Sequence, residues 1–185
     1  TGANILSVTK SNTGRVILSG NNSYTGLTTV TRGRLQLNSA GALSSGSNLV
    51  FNGAVGTGGS IELTSNFGNF TRGLGTGAGQ VQWLGDGGFL SSGSGRIVNI
   101  GGAGAMLTWG AGGFVPTGNR LILGTSSNNL LDCQNGIDLS SGVRAVQGDG
   151  GLISGHARMS GILSGTGGIN QVGNGFLELT GTNTY

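Results

Sequence analysis

Short apolar–x–apolar triplets, set between clusters of turn residues, restrict this chain more than any other feature. Val16-Ile17-Leu18, Leu35-Gln36-Leu37, Ile61-Glu62-Leu63, Val81-Gln82-Trp83, Leu121-Ile122-Leu123 and Leu177-Glu178-Leu179 are separated by stretches of Gly, Asn, Ser and Asp. A two-residue side-chain period puts the outer members of each triplet on one strand face. It puts Gln36, Glu62, Gln82 and Glu178 on the opposite, solvent side. The intervening residues are those that accept positive φ or cap turns. Apolar residues rarely recur at helical spacing, and Gly interrupts every window long enough for a helix. The expectation is an all-β chain of many short strands.

Composition decides whether such a chain folds at all. Glycine supplies 42 of 185 residues and proline only one, without Gly-X-Y order, so collagen is excluded. Leu, Ile, Val and Phe make up 48 residues, about 26%, against the roughly 20% below which chains stay unfolded. The net charge of +3 adds little self-repulsion. With 8% charged residues and no basic run interleaved with aromatics, nucleic acid is not expected as a partner. Cys133 is alone, so no internal disulfide can form, and it reads as a small buried hydrophobe. No apolar run approaches the ~18 residues of a membrane-spanning helix, and no signal peptide is recognisable. Targeting and anchoring parts of an exported parent protein are expected outside this stretch.

Hairpins in a sandwich and parallel strands in a solenoid both satisfy an all-β pattern; repeats separate them. Leu18-Ser19-Gly20-Asn21-Asn22-Ser23-Tyr24 matches Leu179-Thr180-Gly181-Thr182-Asn183-Thr184-Tyr185, which defines a long 161-residue repeat. A shorter period runs inside: Arg72, Arg96, Arg120 and Arg144 share a constant 24-residue spacing, each followed two positions on by Leu74, Val98, Ile122 or Val146. Extrapolated backwards, this register reaches Asn48, ahead of Leu49-Val50-Phe51. A period in the low twenties suits one coil of a β-helix, whose coils bury their apolar face by stacking about 4.8 Å apart.

Residues 14–43 add a resemblance. Val16-Ile17-Leu18-Ser19-Gly20-Asn21-Asn22-Ser23-Tyr24-Thr25-Gly26, then Thr28-Thr29-Val30, Gly33 and Leu35-Gln36-Leu37, resemble the autotransporter-associated β-strand repeat. A second, shorter copy runs from Gly175 to Tyr185. The resemblance implies a passenger-type β-helix displayed outside a bacterium. It also implies a structural part for Gly20, Asn22, Tyr24, Gly26, Gly181, Asn183 and Tyr185, and no catalytic residue.

Candidate sites are sparse. Glycan-cleaving β-helices need clustered carboxylates, whereas Glu62, Asp86, Asp132, Asp138, Asp149 and Glu178 are scattered. His156, the one histidine, reads as a solvated turn residue, and no nucleophile elbow is present. Gly85-Asp86-Gly87-Gly88 and Gly148-Asp149-Gly150-Gly151 resemble pieces of a calcium-binding nonapeptide, but Asp-Gly is more simply a turn. Thr28, Thr29 and Thr31 do not recur at the coil spacing, so a flat ice-binding array is not expected. If coils were equal, Arg72, Arg96, Arg120 and Arg144 would form a column able to hold an acidic glycan.

The sequence therefore predicts a right-handed parallel β-helix of about seven to eight coils of about 24 residues. Residues 1–185 would form a single continuous segment, one 161-residue repeat plus about one coil of the next, uncapped at either end. The predicted function is a non-enzymatic fibre or stalk at the bacterial cell surface, without cofactor or metal. Its partners would be copies of itself and, on the adhesin alternative, acidic glycans. A polysaccharide-degrading enzyme is the third reading.

Overall fold

A computed structural model describes residues 5–149 and 156–185. Among them every regular element is a strand. The first six are β1 (Val8–Lys10), β2 (Arg15–Leu18), β3 (Thr28–Val30), β4 (Gly33–Leu37), β5 (Leu49–Phe51) and β6 (Gly59–Leu63). Next come β7 (Val81–Trp83), β8 (Gly87–Ser91), β9 (Arg96–Val98), β10 (Leu107–Thr108), β11 (Arg120–Thr125) and β12 (Leu130–Cys133). The last are β13 (Ile137–Asp138), β14 (Val143–Asp149), β15 (His156–Met159), β16 (Leu163–Ser164), β17 (Gly168–Val172) and β18 (Phe176–Leu179).

These strands stack into four parallel sheets: β1-β3-β5-β7, β10-β13-β16, β17-β14-β11-β8-β6-β4-β2 and β18-β15-β12-β9. Chain neighbours fall in different sheets, and each strand pairs with one a whole winding away. Val16 stands beside Leu35, Leu35 beside Ile61, Ile61 beside Phe89, and Phe89 beside Leu123. This is a β-solenoid, not a sandwich of hairpins, because a hairpin pairs strands that are consecutive and antiparallel. From β1 to β8, about the first half, the chain alternates between two sheets. From β9 onward it cycles through three, so the cross-section gains a side.

The 24-residue period does not survive as a constant. Stacked neighbours are separated by a 19-residue step from Val16 to Leu35, a 26-residue step from Leu35 to Ile61, and a 34-residue step from Phe89 to Leu123. Strand stacking constrains only the paired residues; corners face solvent and absorb insertions at small entropic cost.

Side chains of like kind pile up inside. Leu35, Ile61, Phe89 and Leu123 form one fully buried row and Val30, Phe51 and Trp83 another. Aromatic rings pass contact from one winding to the next: Phe51–Trp83 at 4.9 Å, Trp83–Phe114 at 5.2 Å, Phe114–Trp109 at 5.7 Å. The Trp83 indole N–H donates to the Gly87 carbonyl at 2.9 Å. Each such side chain contributes about 1.5–3 kcal/mol by leaving water. Glu62 corrects the simple alternation rule: it points outward as expected but is 0% exposed. Its carboxylate accepts from the Ser126 hydroxyl, supplied by the corner after β11.

Candidate functional site

The repeat motif forms the corner between β2 and β3, and its polar groups are directed at the neighbouring winding. The Asn22 main-chain N–H donates to the Gly41 carbonyl at 2.9 Å, and its side-chain amide donates to the Ala42 carbonyl at 2.8 Å. Ser39 donates to the Gly20 carbonyl at 3.0 Å. The Tyr24 hydroxyl lies 2.8 Å from Thr28 Oγ1, which lies 2.8 Å from Ser47 Oγ one winding on. Thr28, the first residue of β3, is completely buried and so faces no outer array. At Gly26 any Cβ would run into the Leu6 carbonyl. In the second copy Asn183 Oδ1 accepts from the Leu163 N–H at 2.9 Å, and Thr184 N–H donates to the Leu163 carbonyl at 2.9 Å. A Cβ at Gly181 would meet the Gly161 carbonyl. Tyr185 is half exposed beside this corner.

Other corners are tied in the same way by residues outside the motif. The Asn48 amide donates to the carbonyls of Gly75 and Gly77, both at 2.9 Å. Buried Asp86 accepts from Gly56 N–H at 2.6 Å, Asn119 Nδ2 at 2.8 Å and Arg120 N–H at 2.9 Å. Its carboxylate is thus occupied by the backbone and amides of two adjoining corners. The Gly148-Asp149-Gly150-Gly151 stretch lies partly outside the described residues. Asn135, which sequence reasoning passed over, brackets Ile100 from one winding away. Single Asn residues in Gly-rich corners carry no periodic signal that would have revealed it.

The four periodic arginines do not form a column. Arg96 lies in β9, where its neighbour is Leu131. Arg120 and Arg144 lie in the seven-stranded sheet, beside Ala145 and Ile169 respectively. Arg72 lies in the corner between β6 and β7. Unequal windings displace a constant spacing from the stacking register. Arg72 donates to the carbonyls of Leu43 (2.8 Å), Ser47 (2.9 Å) and Ser44 (3.0 Å), and burial lowers its pKa. Arg144 points inward, is buried, and donates to the Leu139 carbonyl at 2.8 Å. Arg96 donates to Ser94, and Arg120 reaches Gln147 Oε1 at 3.4 Å. The arginines that do neighbour each other are Arg15 and Arg34, with Arg15 also 3.8 Å from Glu62.

Acidic groups are distributed over the perimeter. Asp132 sits in β12 and Asp138 in β13, strands of different sheets. A mixed-charge cluster lies on the outer face of the β9-containing sheet, where Asp132, Arg158 and Glu178 occupy one row. Arg158 Nε donates to Glu178 Oε2 at 2.7 Å, and His156 Nε2 lies 3.2 Å from the same oxygen. His156 is therefore a strand residue with a carboxylate partner, not a turn residue, and its ring meets Phe176 edge-on at 5.4 Å. The Arg158 hydrogen bond holds the Glu178 carboxyl below its ordinary pKa. Among the described residues no three His, Cys, Asp or Glu side chains are grouped as metal ligands would be.

Beside β17 and β18, Ile169, Gln171, Phe176, Leu177, Leu179 and Tyr185 line a cleft of about 370 Å³, with Phe176 and Tyr185 exposed. Val16, Ile17 and Leu27 are likewise exposed at the first winding.

A stack of parallel strands with hydrogen-bonded Asn and Gly corners defines the chain as a β-solenoid in which polar residues serve winding-to-winding cohesion. Residues 8–37 match the family model of the passenger-associated-transport-repeat. It is 31% identical over 224 residues to the adhesin BmaC autotransporter of Brucella suis biovar 1 (strain 1330). That alignment covers 96% of this chain and 6% of the Brucella protein, so the chain spans a small part of its relative's length. No solved structure matches the chain.

Proposed function

We propose that this chain is a structural, non-enzymatic segment of a large exported protein, held at the bacterial cell surface as a stalk or fibre. It would wind right-handedly through about seven to eight unequal coils and recur as a 161-residue unit in a tandem array. The observation that carries the reading is the direction of the motif's hydrogen bonds. Asn22, Thr28 and Asn183 spend their polar groups on adjacent windings, which suits a part whose work is to extend a stack. Electron microscopy of the full-length protein tests it: rods lengthening by about 30 Å per added repeat are expected, and compact particles would refute it.

A second reading, adhesion to an acidic glycan, draws support from the relative's description as an adhesin. On this chain the neighbouring pair Arg15 and Arg34 replaces the dispersed column as its most basic feature. Charge reversal at both should abolish heparin retention on this reading and leave a purely structural segment unchanged.

A further inference from the structure

Shifting the sequence by one 161-residue repeat carries Val8–Lys10 onto Ile169–Gln171 within β17, and Arg15–Leu18 onto Phe176–Leu179, the whole of β18. In each copy the residue at this position ties the following corner, though to different partners: Lys10 Nζ donates forward to Asn12 Oδ1 at 2.6 Å, and its counterpart Gln171 donates to the Gly175 carbonyl at 2.8 Å. Yet the two copies occupy different faces. β1 opens the sheet β1-β3-β5-β7, whereas β17 closes the seven-stranded sheet; β2 opens that seven-stranded sheet, whereas β18 closes the sheet that starts at β9.

In the first copy, Thr28–Val30 occupies the edge of β1 and Arg34–Leu37 the edge of β2. In the second copy β17 pairs with β14, β18 pairs with β15, and residues of both strands line the cleft. We propose that their other edge seats a following copy of Thr25–Leu37, so that each repeat begins one face further round the solenoid than the one before it. The inference rests on the tandem-array reading and specifies its joint.

Charge favours this occupant. In the first copy Arg34 lies beside Arg15 and Gln36 beside Ile17. The matching positions on the second copy are Phe176 and Glu178. A copy of Arg34 therefore meets an aromatic ring and, diagonally, a carboxylate, in place of a second guanidinium. Copies of Leu35 and Leu37 close over Leu177 and Leu179, and Tyr185 meets the copied Thr28 as Tyr24 meets Thr28.

The test extends the full chain after Tyr185 by its own Thr25–Leu37 and follows amide hydrogen exchange in β17 and β18. Exchange there should slow about tenfold or more against the unextended chain. Replacing the appended arginine equivalent to Arg34 with Glu should remove most of that protection. Absent protection, equal protection from a scrambled extension, or indifference to the Glu replacement would each overturn the joint. Rods seen by microscopy together with a failed exchange test would leave the array standing with a different register; compact particles would remove the array itself.

Discussion

Asn135 holds Ile100 at both ends of its main chain: Oδ1 accepts from the Ile100 N–H at 2.7 Å and Nδ2 donates to the Ile100 carbonyl at 2.8 Å. The amide thus imitates a strand backbone at a corner where no strand passes, and it also donates to the Ala105 carbonyl at 2.9 Å. Replacing Asn135 by Leu strands these buried groups. The expected loss is about 2–4 kcal/mol, read as a lower midpoint in urea unfolding. Asn135→Asp should be about as harmful, since a carboxylate cannot donate to either carbonyl.

Arg72 should tolerate no conservative exchange. Its fork satisfies three carbonyls of the preceding winding, and a lysine ammonium is a single point that cannot span them. Arg72→Lys should cost about 1–2 kcal/mol and speed proteolysis between Leu43 and Ser47, as mapped by limited digestion.

Gly33 combines a φ of 69° with a crowded corner, where a Cβ would meet the Asn12 carbonyl and approach the Gly14 carbonyl to 2.5 Å. Gly33→Ala should cost about 2 kcal/mol or more, detected as a fall in thermal midpoint. Gly68→Ala, with φ 93° but no neighbour within 4 Å, isolates the conformational part and should cost less.

Cys133 is buried among apolar side chains, and desolvation pushes its thiol from the ordinary 9.0 up to about 12. Folding therefore favours the protonated form. This contribution is fully present below pH 9 and is lost as pH rises toward 12. Native protein at pH 8 should resist a thiol reagent that reacts completely once the chain is unfolded, and rapid native labelling would refute the burial.

Glu178 has the opposite sign. Its folded pKa is lowered, first by the Arg158 hydrogen bond, so its contribution is present above the ordinary carboxylate value and disappears as pH falls through the lowered one. Glu178→Gln should flatten the dependence of the thermal midpoint on pH below about 4.5 while changing little near neutrality.

The strand triplets were legible because burial acts on each strand locally. Leu35, Ile61, Leu121 and Leu123 must face inward wherever their neighbours stand, and the structure has them in one core. Glu62 faces outward as the alternation implies, but its burial is not legible in the sequence, because its cover comes from Ser126, a residue two windings distant in a corner without sequence period. The strand setting of His156 is hidden from the sequence because its carboxylate partner, Glu178, joins it only through the pairing of β15 with β18.

The triplet pattern, the glycine- and asparagine-rich corners and the 161-residue motif copy determined by themselves an all-β chain of stacked parallel strands. Tertiary structure alone decided how much chain each winding consumes, and with it the fate of the arginines. Arg96, Arg120 and Arg144 are evenly spaced in sequence yet lie beside Leu131, Ala145 and Ile169. Hydrogen bonding between strands fixes the partner of every residue in the ladder, while a solvent-facing corner can lengthen without disturbing that ladder. Sequence distance therefore measures position round the solenoid only where the corners are equal, and here they are not.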